Sequence, residues 1–310
     1  MRKYPLILKP VIKNYIWGGR RLIDDFGFES EADTAAEAWT LASHKDGTNI
    51  ILNGEHSGKT LSEVLNVWGY CDTFPLLIKL IDAHDKLSVQ VHPDNGYAFK
   101  NEGEPGKTEM WYIVDAEEGA ELAYGFKEKI SKAEFEERIR ANTLTEVINF
   151  VPVKKGDVFF ITAGTLHAIG SGILIAEIQQ NSNTTYRVSD YGRLGADGKP
   201  RPLHIEKALD VTVTDKPTIP YGAVGEVENL PYGRLRSLSD CEFFTTQLLS
   251  LSGEVEFKPD SDFLSLLVLS GTLTLSYENE TLECKMGDSI LIMKDTTAKI
   301  SGEAEIIISK

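Results

Sequence analysis

The sequence predicts a mainly β protein with a few short helices. Turn residues interrupt the chain at close intervals, and the apolar segments between them are of strand length and rich in Val, Ile and Phe. The clearest of these segments are residues 158–161, 173–178, 264–269, 289–293 and 305–308. From about Leu235 onwards almost every segment is of this kind, which favours an antiparallel sandwich or barrel.

Helical patterns are fewer than strand patterns. Residues 60–68 and 131–139 each begin with a hydroxyl residue three positions before a glutamate, the capping-box pattern, and continue with apolar residues on one face. Residues 204–211 are a weaker helical candidate, and residues 143–146 predict one further turn. The few helices therefore lie among strands rather than forming a domain of their own.

The length of 310 residues favours about two domains, at roughly 150 residues each. Residues 216–230 contain two prolines and two glycines with little apolar periodicity, which is typical of a linker. We therefore expect a larger domain with the helical elements over residues 1–230 and a smaller β domain over residues 231–310.

The charge balance excludes several function classes. Acidic residues outnumber basic ones by 47 to 32, a net charge of −15 that disfavours general binding to nucleic acid or to an anionic membrane. No uncharged stretch is long enough for a transmembrane helix. The apolar segment within the first ten residues is too short for a secretion signal. An anionic substrate would need a local basic pocket.

Cysteine usage indicates the compartment. Cys71, Cys241 and Cys284 are odd in number, widely spaced, and match neither a zinc-finger nor a redox spacing. We interpret them as reduced thiols of a cytoplasmic protein.

The segment from Gly156 to His167 carries the first chemical signal. Five residues separate Gly156 from Thr162, and four more separate Thr162 from His167. This spacing resembles the second motif of the β-barrel cupin family, where Pro is usual at the position of Thr162. A Gly-Asp turn would start one strand, and the next strand would carry His167 inside to bind a metal. The alternative is a buried histidine hydrogen-bonded near a turn.

Residues 285–292 repeat the pattern of residues 154–161, with a basic residue and a Gly-Asp turn before an apolar strand. The same count from Gly287 ends at Ala298, so a second domain of this shape would lack the metal ligand. We therefore expect two cupin-like (jelly-roll) β domains, of which the C-terminal one is degenerate.

Two further segments supply candidate metal ligands. Gln90 and His92 share one face of a strand because side chains alternate, and Pro93 would end that strand. Glu109 opens an apolar strand, which is an unfavourable place for a carboxylate unless it meets a cation. Two imidazoles, an amide and a carboxylate form a plausible divalent site, and such nitrogen and oxygen ligands suit zinc.

A fourth segment carries polar residues after a strand. Glu177 lies in a strand-like segment, and the polar residues that follow lead to Arg187 and Arg193. Taken alone, this segment is also compatible with a solvated turn.

Together these segments resemble the type I mannose-6-phosphate isomerases, in their short bacterial form. The resemblance is carried in the correct order by residues 14–19, 37–39, 74–80, 90–94, 107–110, 163–167 and 183–187. The resemblance implies four zinc ligands that hold one ion per chain: Gln90, His92, Glu109 and His167. It also implies the catalytic residues Arg187, Glu177 and Lys107 and the substrate-binding residues Lys79, Trp17 and Arg193.

The sequence departs from the family pattern at two positions. Gly106 stands where many members have His, and Thr108 stands where many have Pro. Neither change removes a ligand, but both affect the expected rim of the pocket.

The resemblance implies interconversion of mannose 6-phosphate and fructose 6-phosphate through a cis-enediol, without a redox cofactor. The general base stays open among Glu177 with a pKa raised by burial, Lys107 with a pKa lowered by the metal, His84, Asp94 and a metal-bound hydroxide. The phosphate cation stays open among Arg187, Arg193 and Lys79. We expect a small sugar phosphate as the partner, and a monomer or homodimer.

Two other functions are compatible with parts of the pattern. An iron oxygenase would use two histidines and one carboxylate, which His92, His167 and Glu109 could supply, but Gln90 and the Arg187 segment argue against it. A sugar-phosphate sensor would bind without turnover, and the intact set of ligands and pocket cations argues against that.

Overall fold

The computed structural model describes residues 2–70, 74–195 and 198–310. The strands are β1 (Leu6–Lys9), β2 (Val11–Lys13), β3 (Glu37–Leu41), β4 (Ser43–His44), β5 (Gly47–Thr48), β6 (Ile50–Ile51), β7 (Leu76–Ala83), β8 (Val89–Val91), β9 (Glu109–Ala116), β10 (Glu121–Phe126), β11 (Ile148–Pro152), β12 (Val158–Ile161), β13 (His167–Ala168), β14 (Ile173–Gln180), β15 (Tyr186–Ser189), β16 (Val227–Leu230), β17 (Gly233–Asp240), β18 (Thr245–Phe257), β19 (Phe263–Tyr277), β20 (Glu280–Lys285), β21 (Ser289–Met293) and β22 (Ala298–Ser309). The helices are α1 (Arg21–Asp24), α2 (Leu61–Val67), α3 (Asn95–Asn101), α4 (Lys132–Arg140) and α5 (Ile205–Val211). The predicted mainly β fold with a few short helices is confirmed.

Three antiparallel sheets contain most of the strands. One sheet has six strands in the order β12-β9-β14-β7-β3-β2, and a second has five in the order β11-β10-β13-β8-β15. The third has nine strands, in the order β16-β17-β18-β22-β19-β21-β1-β6 with β20 attached to β19. Strands β4 and β5 pair separately.

The six-stranded sheet is covered on both faces because its side chains alternate between two apolar clusters. On β9, Met110 and Tyr112 belong to the large cluster shared with the C-terminal strands. Trp111 and Ile113, which point the other way, pack with residues of the five-stranded sheet such as Leu122. The six-stranded sheet therefore lies between the other two sheets.

A third apolar cluster covers the outer face of the five-stranded sheet. Phe135 and Ile139 of α4 and Ala208 of α5 pack there against Val89 and Val91 of β8. The helices thus support the strand that leads to the predicted metal ligands.

The nine-stranded sheet takes strands from both sides of the expected domain boundary. Leu6 of β1 pairs with Leu291 of β21, so the start of the chain joins the C-terminal strands. The linker prediction is wrong for Val227–Leu230, which forms β16 and pairs with β17. The division into residues 1–230 and 231–310 stays a prediction.

The predicted capping box is confirmed at α2, and at α4 the predicted N-cap Ser131 is confirmed without the return contact from Glu134. The Thr60 hydroxyl and the Glu63 carboxylate cap α2 reciprocally, and Ser131 accepts from Glu134 N at 3.0 Å at the start of α4. Helices α1 and α3 were not predicted, because α1 has only four residues and α3 buries only Ala98, which leaves no apolar periodicity. The cap of α3 was visible as Asp94, whose carboxylate accepts from Tyr97 N at 2.8 Å.

Cys241 and Cys284 are free thiols, and Cys71 lies outside the described residues. Across those residues, none of the helices combines the length and the apolar character that crossing a membrane requires. The cytoplasmic location and the monomer or homodimer state stay predictions.

Candidate metal centre and substrate cavity

Neighbouring strands of the six-stranded sheet place charged side chains on one face. Glu177 of β14 lies directly opposite Lys79 of β7 on one side and opposite Trp111 of β9 on the other. Glu109 occupies the same face of β9 as Trp111 because the two are separated by one residue. This face looks toward the five-stranded sheet, which supplies the facing polar groups.

The four predicted metal ligands converge between the two sheets. Gln90 of β8 pairs with His167 of β13, and His92 follows directly after β8. The Nε2 atoms of His92 and His167 are 3.1 Å apart, and they lie 3.6 and 3.4 Å from the two carboxylate oxygens of Glu109. The Gln90 amide is 3.4 Å from His167 Nε2. One potential ligand atom from each of His92, Glu109 and His167 lies within 4.8 Å of the others.

The hydrogen bonds of the two histidines fix which ring nitrogen carries the proton. His92 Nδ1 is 2.9 Å from Thr184 O, and His167 Nδ1 is 2.9 Å from Thr165 O. A carbonyl only accepts, so each Nδ1 donates and each neutral ring presents a bare Nε2. Burial lowers the pKa of both imidazoles, that of His167 to about 4, which keeps them neutral. Two facing lone pairs at 3.1 Å repel each other, and a cation coordinated by both nitrogens would remove that repulsion.

Glu109 supports the same conclusion. It is fully buried, and neither oxygen accepts a well-directed hydrogen bond from any residue that the structure describes, although Lys107 Nζ lies 3.0 Å from Oε2. Burial and the nearby Glu177 charge raise the pKa of Glu109. A buried carboxylate without hydrogen bonds beside two bare imidazole nitrogens is a donor set that fits a divalent ion.

A buried network of alternating charges adjoins these ligands. Glu177 Oε1 is 3.2 Å from Lys79 Nζ and 3.5 Å from Lys107 Nζ, while Oε2 accepts from Trp111 Nε1 at 3.0 Å. Lys79 also approaches Glu37 at 3.7 Å. Burial alone would raise the pKa of Glu177, but Lys107 and Lys79 outweigh it and lower that pKa. The expectation of a raised pKa at Glu177 is therefore wrong, because the carboxylate faces two ammonium groups.

A cavity of about 230 Å³ opens beside the network. Its lining includes the predicted residues Trp17, Lys79, Gln90, Lys107, Glu177 and Arg187. It also includes residues that the sequence analysis did not single out as site residues, among them Tyr15, Glu37, Ser88 and Arg201. Tyr15 stacks on Trp17 with ring centroids 5.3 Å apart, which gives the cavity an aromatic wall.

Arg187 lies on β15 opposite Gln90, so it borders the metal ligands directly. Its Nε donates to Ser88 Oγ at 3.2 Å, and Nη1 donates to Pro202 O at 3.1 Å. Burial and the neighbouring cations of Arg201 and Arg193 lower the pKa of Arg187.

Three other candidates lie away from this lining. The Arg193 guanidinium pairs with Asp190 at 2.6 Å and with Asp85 at 3.3 Å. His84 is exposed, and Asp94 caps α3. The structure thus brings Glu177 and Lys107 to the cavity, but not His84 or Asp94.

The loop before Glu109 explains one departure from the family pattern. A Cβ added to Gly106 would approach the carbonyl carbon of Asp94 to 2.4 Å and Asn95 N to 2.5 Å. Gly106 N and Gln180 Nε2 both donate to Asn95 Oδ1, at 2.9 and 3.0 Å. Glycine here lets two backbone segments meet closely, and the contact holds the segment that carries Lys107.

Comparisons with known proteins identify relatives over the whole chain. Residues 6–135 match the family model "Phosphomannose isomerase type I, catalytic domain", and residues 235–310 match "Mannose-6-phosphate isomerase, cupin domain". The chain is 38% identical to the mannose-6-phosphate isomerase of Streptococcus mutans over 312 residues, 98% of each protein. It is 39% identical to the mannose-6-phosphate isomerase ManA of Bacillus subtilis, covering 100% of this chain and 99% of ManA.

A solved structure agrees with the sequence relatives. The crystal structure of a mannose 6-phosphate isomerase from Bacillus subtilis superimposes with a TM-score of 0.91 at 36% identity, covering 99% of this chain and 100% of that one.

A mainly β protein that gathers two imidazoles, a carboxylate and an amide beside a charged cavity has the arrangement of a metalloenzyme for small polar substrates. The chain belongs to the type I phosphomannose isomerase family.

Proposed function

We propose that the chain interconverts mannose 6-phosphate and fructose 6-phosphate in the cavity described above. We further propose that Gln90, His92, Glu109 and His167 hold one zinc ion. The observation that carries the metal assignment is the pair of bare Nε2 atoms that face each other beside the buried Glu109 carboxylate. Nitrogen and oxygen donors in this number suit zinc, and an open position would face the cavity.

The reaction moves one proton between neighbouring carbons of the open-chain sugar. The proton leaves C2 of the aldose and a proton is added at C1, with a cis-enediol between the two sugars. Negative charge develops on the sugar oxygens in this intermediate. A divalent ion in the proposed set would supply Lewis-acid stabilisation of that charge.

Glu177 has the geometry of the proton acceptor. It lines the cavity, and Trp111 and Lys79 fix its carboxylate in place. Its lowered pKa keeps it ionised before the substrate enters. A sugar placed between Glu177 and Lys107 would weaken their ion pair and raise the pKa of Glu177 toward the range of an efficient base.

The remaining cavity residues bind and orient the sugar. Lys107 and Lys79 donate hydrogen bonds to sugar oxygens, where their charge stabilises the developing enediolate. Arg187, next to Gln90, contacts the substrate from the opposite sheet. Trp17 supplies an apolar wall for the sugar ring or chain.

The test is isomerisation in deuterium oxide, followed by NMR of both sugar phosphates. We expect conversion in both directions, deuterium at C1 of fructose 6-phosphate, and loss of both in Glu177→Gln while mannose 6-phosphate still binds. Lack of conversion by the metal-loaded protein would refute the proposed function. Wild-type conversion and exchange rates in Glu177→Gln would remove Glu177 from the reaction.

A further inference from the structure

We propose that Arg201 binds the substrate phosphate and that Asp190 positions the Arg201 guanidinium. The phosphate would then lie at the end of the cavity lined by Arg187 and Arg201, the arginine end. The inference rests on the proposed function. It adds a residue for which the sequence offered no signal, and it defines the orientation of the sugar phosphate in the cavity.

At the lysine end of the cavity, formed by Lys79 and Lys107, both ammonium groups are already held in ion pairs. Lys79 and Lys107 lie among the carboxylates of Glu37, Glu109 and Glu177, at nitrogen–oxygen distances of 3.0 to 3.7 Å. Both lysines are at least 95% buried. Each ammonium group lies between two of these carboxylates, so it is better placed to donate to the neutral hydroxyl and carbonyl groups of the sugar than to bind a dianion.

The arginine end has the opposite balance. Three arginines, Arg187, Arg193 and Arg201, lie near only two carboxylates among the described residues: the buried Asp190 pairs with Arg193 and Arg201, and the exposed Asp85 pairs with Arg193. Within the described residues, Arg187 forms no ion pair with a carboxylate and donates to a hydroxyl and a carbonyl. This end therefore carries excess positive charge, which a phosphate would neutralise.

The contacts of Arg201 leave part of its guanidinium for a ligand. Nε and Nη2 donate to the two oxygens of Asp190 at 2.7 and 2.5 Å. Arg201 lines the cavity, whereas Arg193 does not. Arg187 Nη1 donates to the carbonyl of Pro202, the residue after Arg201, so both guanidinium groups lie at one edge of the cavity. Two fixed guanidinium groups match the geometry of a phosphate.

The test is steady-state kinetics of the metal-loaded enzyme with mannose 6-phosphate, and with inorganic phosphate as a competitive inhibitor. Losing a charged hydrogen bond to phosphate should raise KM about 10- to 100-fold in Arg201→Gln, with a much smaller change in kcat. The inhibition constant for phosphate should rise by a similar factor. Arg140→Gln removes the same charge from the exposed surface of α4 and should leave both constants unchanged.

The positioning role of Asp190 has its own readout. Asp190→Asn should raise KM in the wild-type background and add little in the Arg201→Gln background, because the two residues act through one contact. Equal effects in both backgrounds would refute the positioning role.

The phosphate assignment would be overturned if KM and phosphate inhibition were unchanged in Arg201→Gln, or if only Arg193→Gln affected them. If the wild-type enzyme shows no isomerase activity, the proposed function fails separately. In that case calorimetry with inorganic phosphate on the wild-type protein and Arg201→Gln still decides whether Arg201 binds phosphate.

Discussion

Two Gly-Asp turns, at Gly156 and Gly287, have the same backbone geometry, but the strands that follow them enter a polar site in one case and an apolar core in the other. Gly156 and Gly287 adopt φ of 89° and 92°, in the left-handed region that favours glycine. The Asp157 carboxylate accepts from Lys154 N at 3.0 Å, and the Asp288 carboxylate accepts from Lys285 N at 2.7 Å. The next strands are β12 and β21.

The difference appears where the following strand begins. His167 begins β13 and Ala298 begins β22, and both side chains are fully buried. His167 meets His92 and Glu109, whereas Ala298 lies in the large apolar cluster with residues such as Ile300. The same turn geometry thus precedes a candidate metal centre in one region and an aliphatic core in the other.

The largest expected effect on activity comes from replacing His167 with alanine, the residue found at the corresponding position 298. His167→Ala removes one imidazole from the proposed site and leaves Glu109 buried beside His92 alone. We expect loss of bound metal and a fall in kcat of at least about 10³-fold. Metal analysis and the isomerase assay measure both effects. A full equivalent of metal and normal turnover in the variant would remove His167 from the ligand set.

Arg187→Ala tests whether a charge that lines the cavity serves activity rather than stability. We expect kcat to fall about 100-fold, because a preorganised cation is lost, with a change in unfolding free energy of about 1 kcal/mol. Urea denaturation and kinetics measure the two quantities. The matched control is Arg138→Ala, a partly buried arginine of α4 that pairs with Glu134 and Glu146. It should lower stability and leave kcat near wild type, and full activity of Arg187→Ala would exclude Arg187 from the mechanism.

The reverse exchange, Ala298→His, puts an imidazole into the aliphatic core. Within the described part of the chain, the only group of three potential metal ligands is His92, Glu109 and His167, so we expect no second metal at Ala298. Excess volume and an unpartnered polar group should cost about 3 kcal/mol of stability. Ala298→Val adds volume alone and should cost less. Urea denaturation and metal analysis check this, and a second equivalent of bound metal would contradict it.

The smallest effects should come from the two matched turns. Asp157→Ala and Asp288→Ala each remove one carboxylate contact to a backbone amide, at a cost of about 1 kcal/mol. Only Asp157→Ala should also lower activity, since its turn leads to β12 and His167. Thermal melts and kinetics on both variants measure this, and equal losses of activity would show that the turns are not functionally distinct.

The candidate metal ligands could be proposed from the sequence because the patterns that mark them are local. Alternation along a strand placed Gln90 and His92 together, and the spacing from a Gly-Asp turn located His167. The convergence of these residues on Glu109 depended on pairing between distant strands, which only the resemblance to a known family supplied.

Features set by long-range packing were harder to predict. The pKa of Glu177 depends on two lysines from other segments, so burial alone gave the wrong sign. Arg201 carried no pattern of its own, and its place in the cavity follows from its contact with Asp190. The pairing of β1 with β21 joins opposite ends of the chain, which no local pattern can indicate.

The proposed isomerase mechanism depends most on a single divalent ion held by four side chains. The direct measurement strips the protein with a chelator and titrates zinc back while following isomerisation of mannose 6-phosphate. We predict no activity in the stripped protein and a linear recovery that ends at one zinc per chain. Full activity without metal, or recovery that continues to a second equivalent, would contradict the proposed single-ion site.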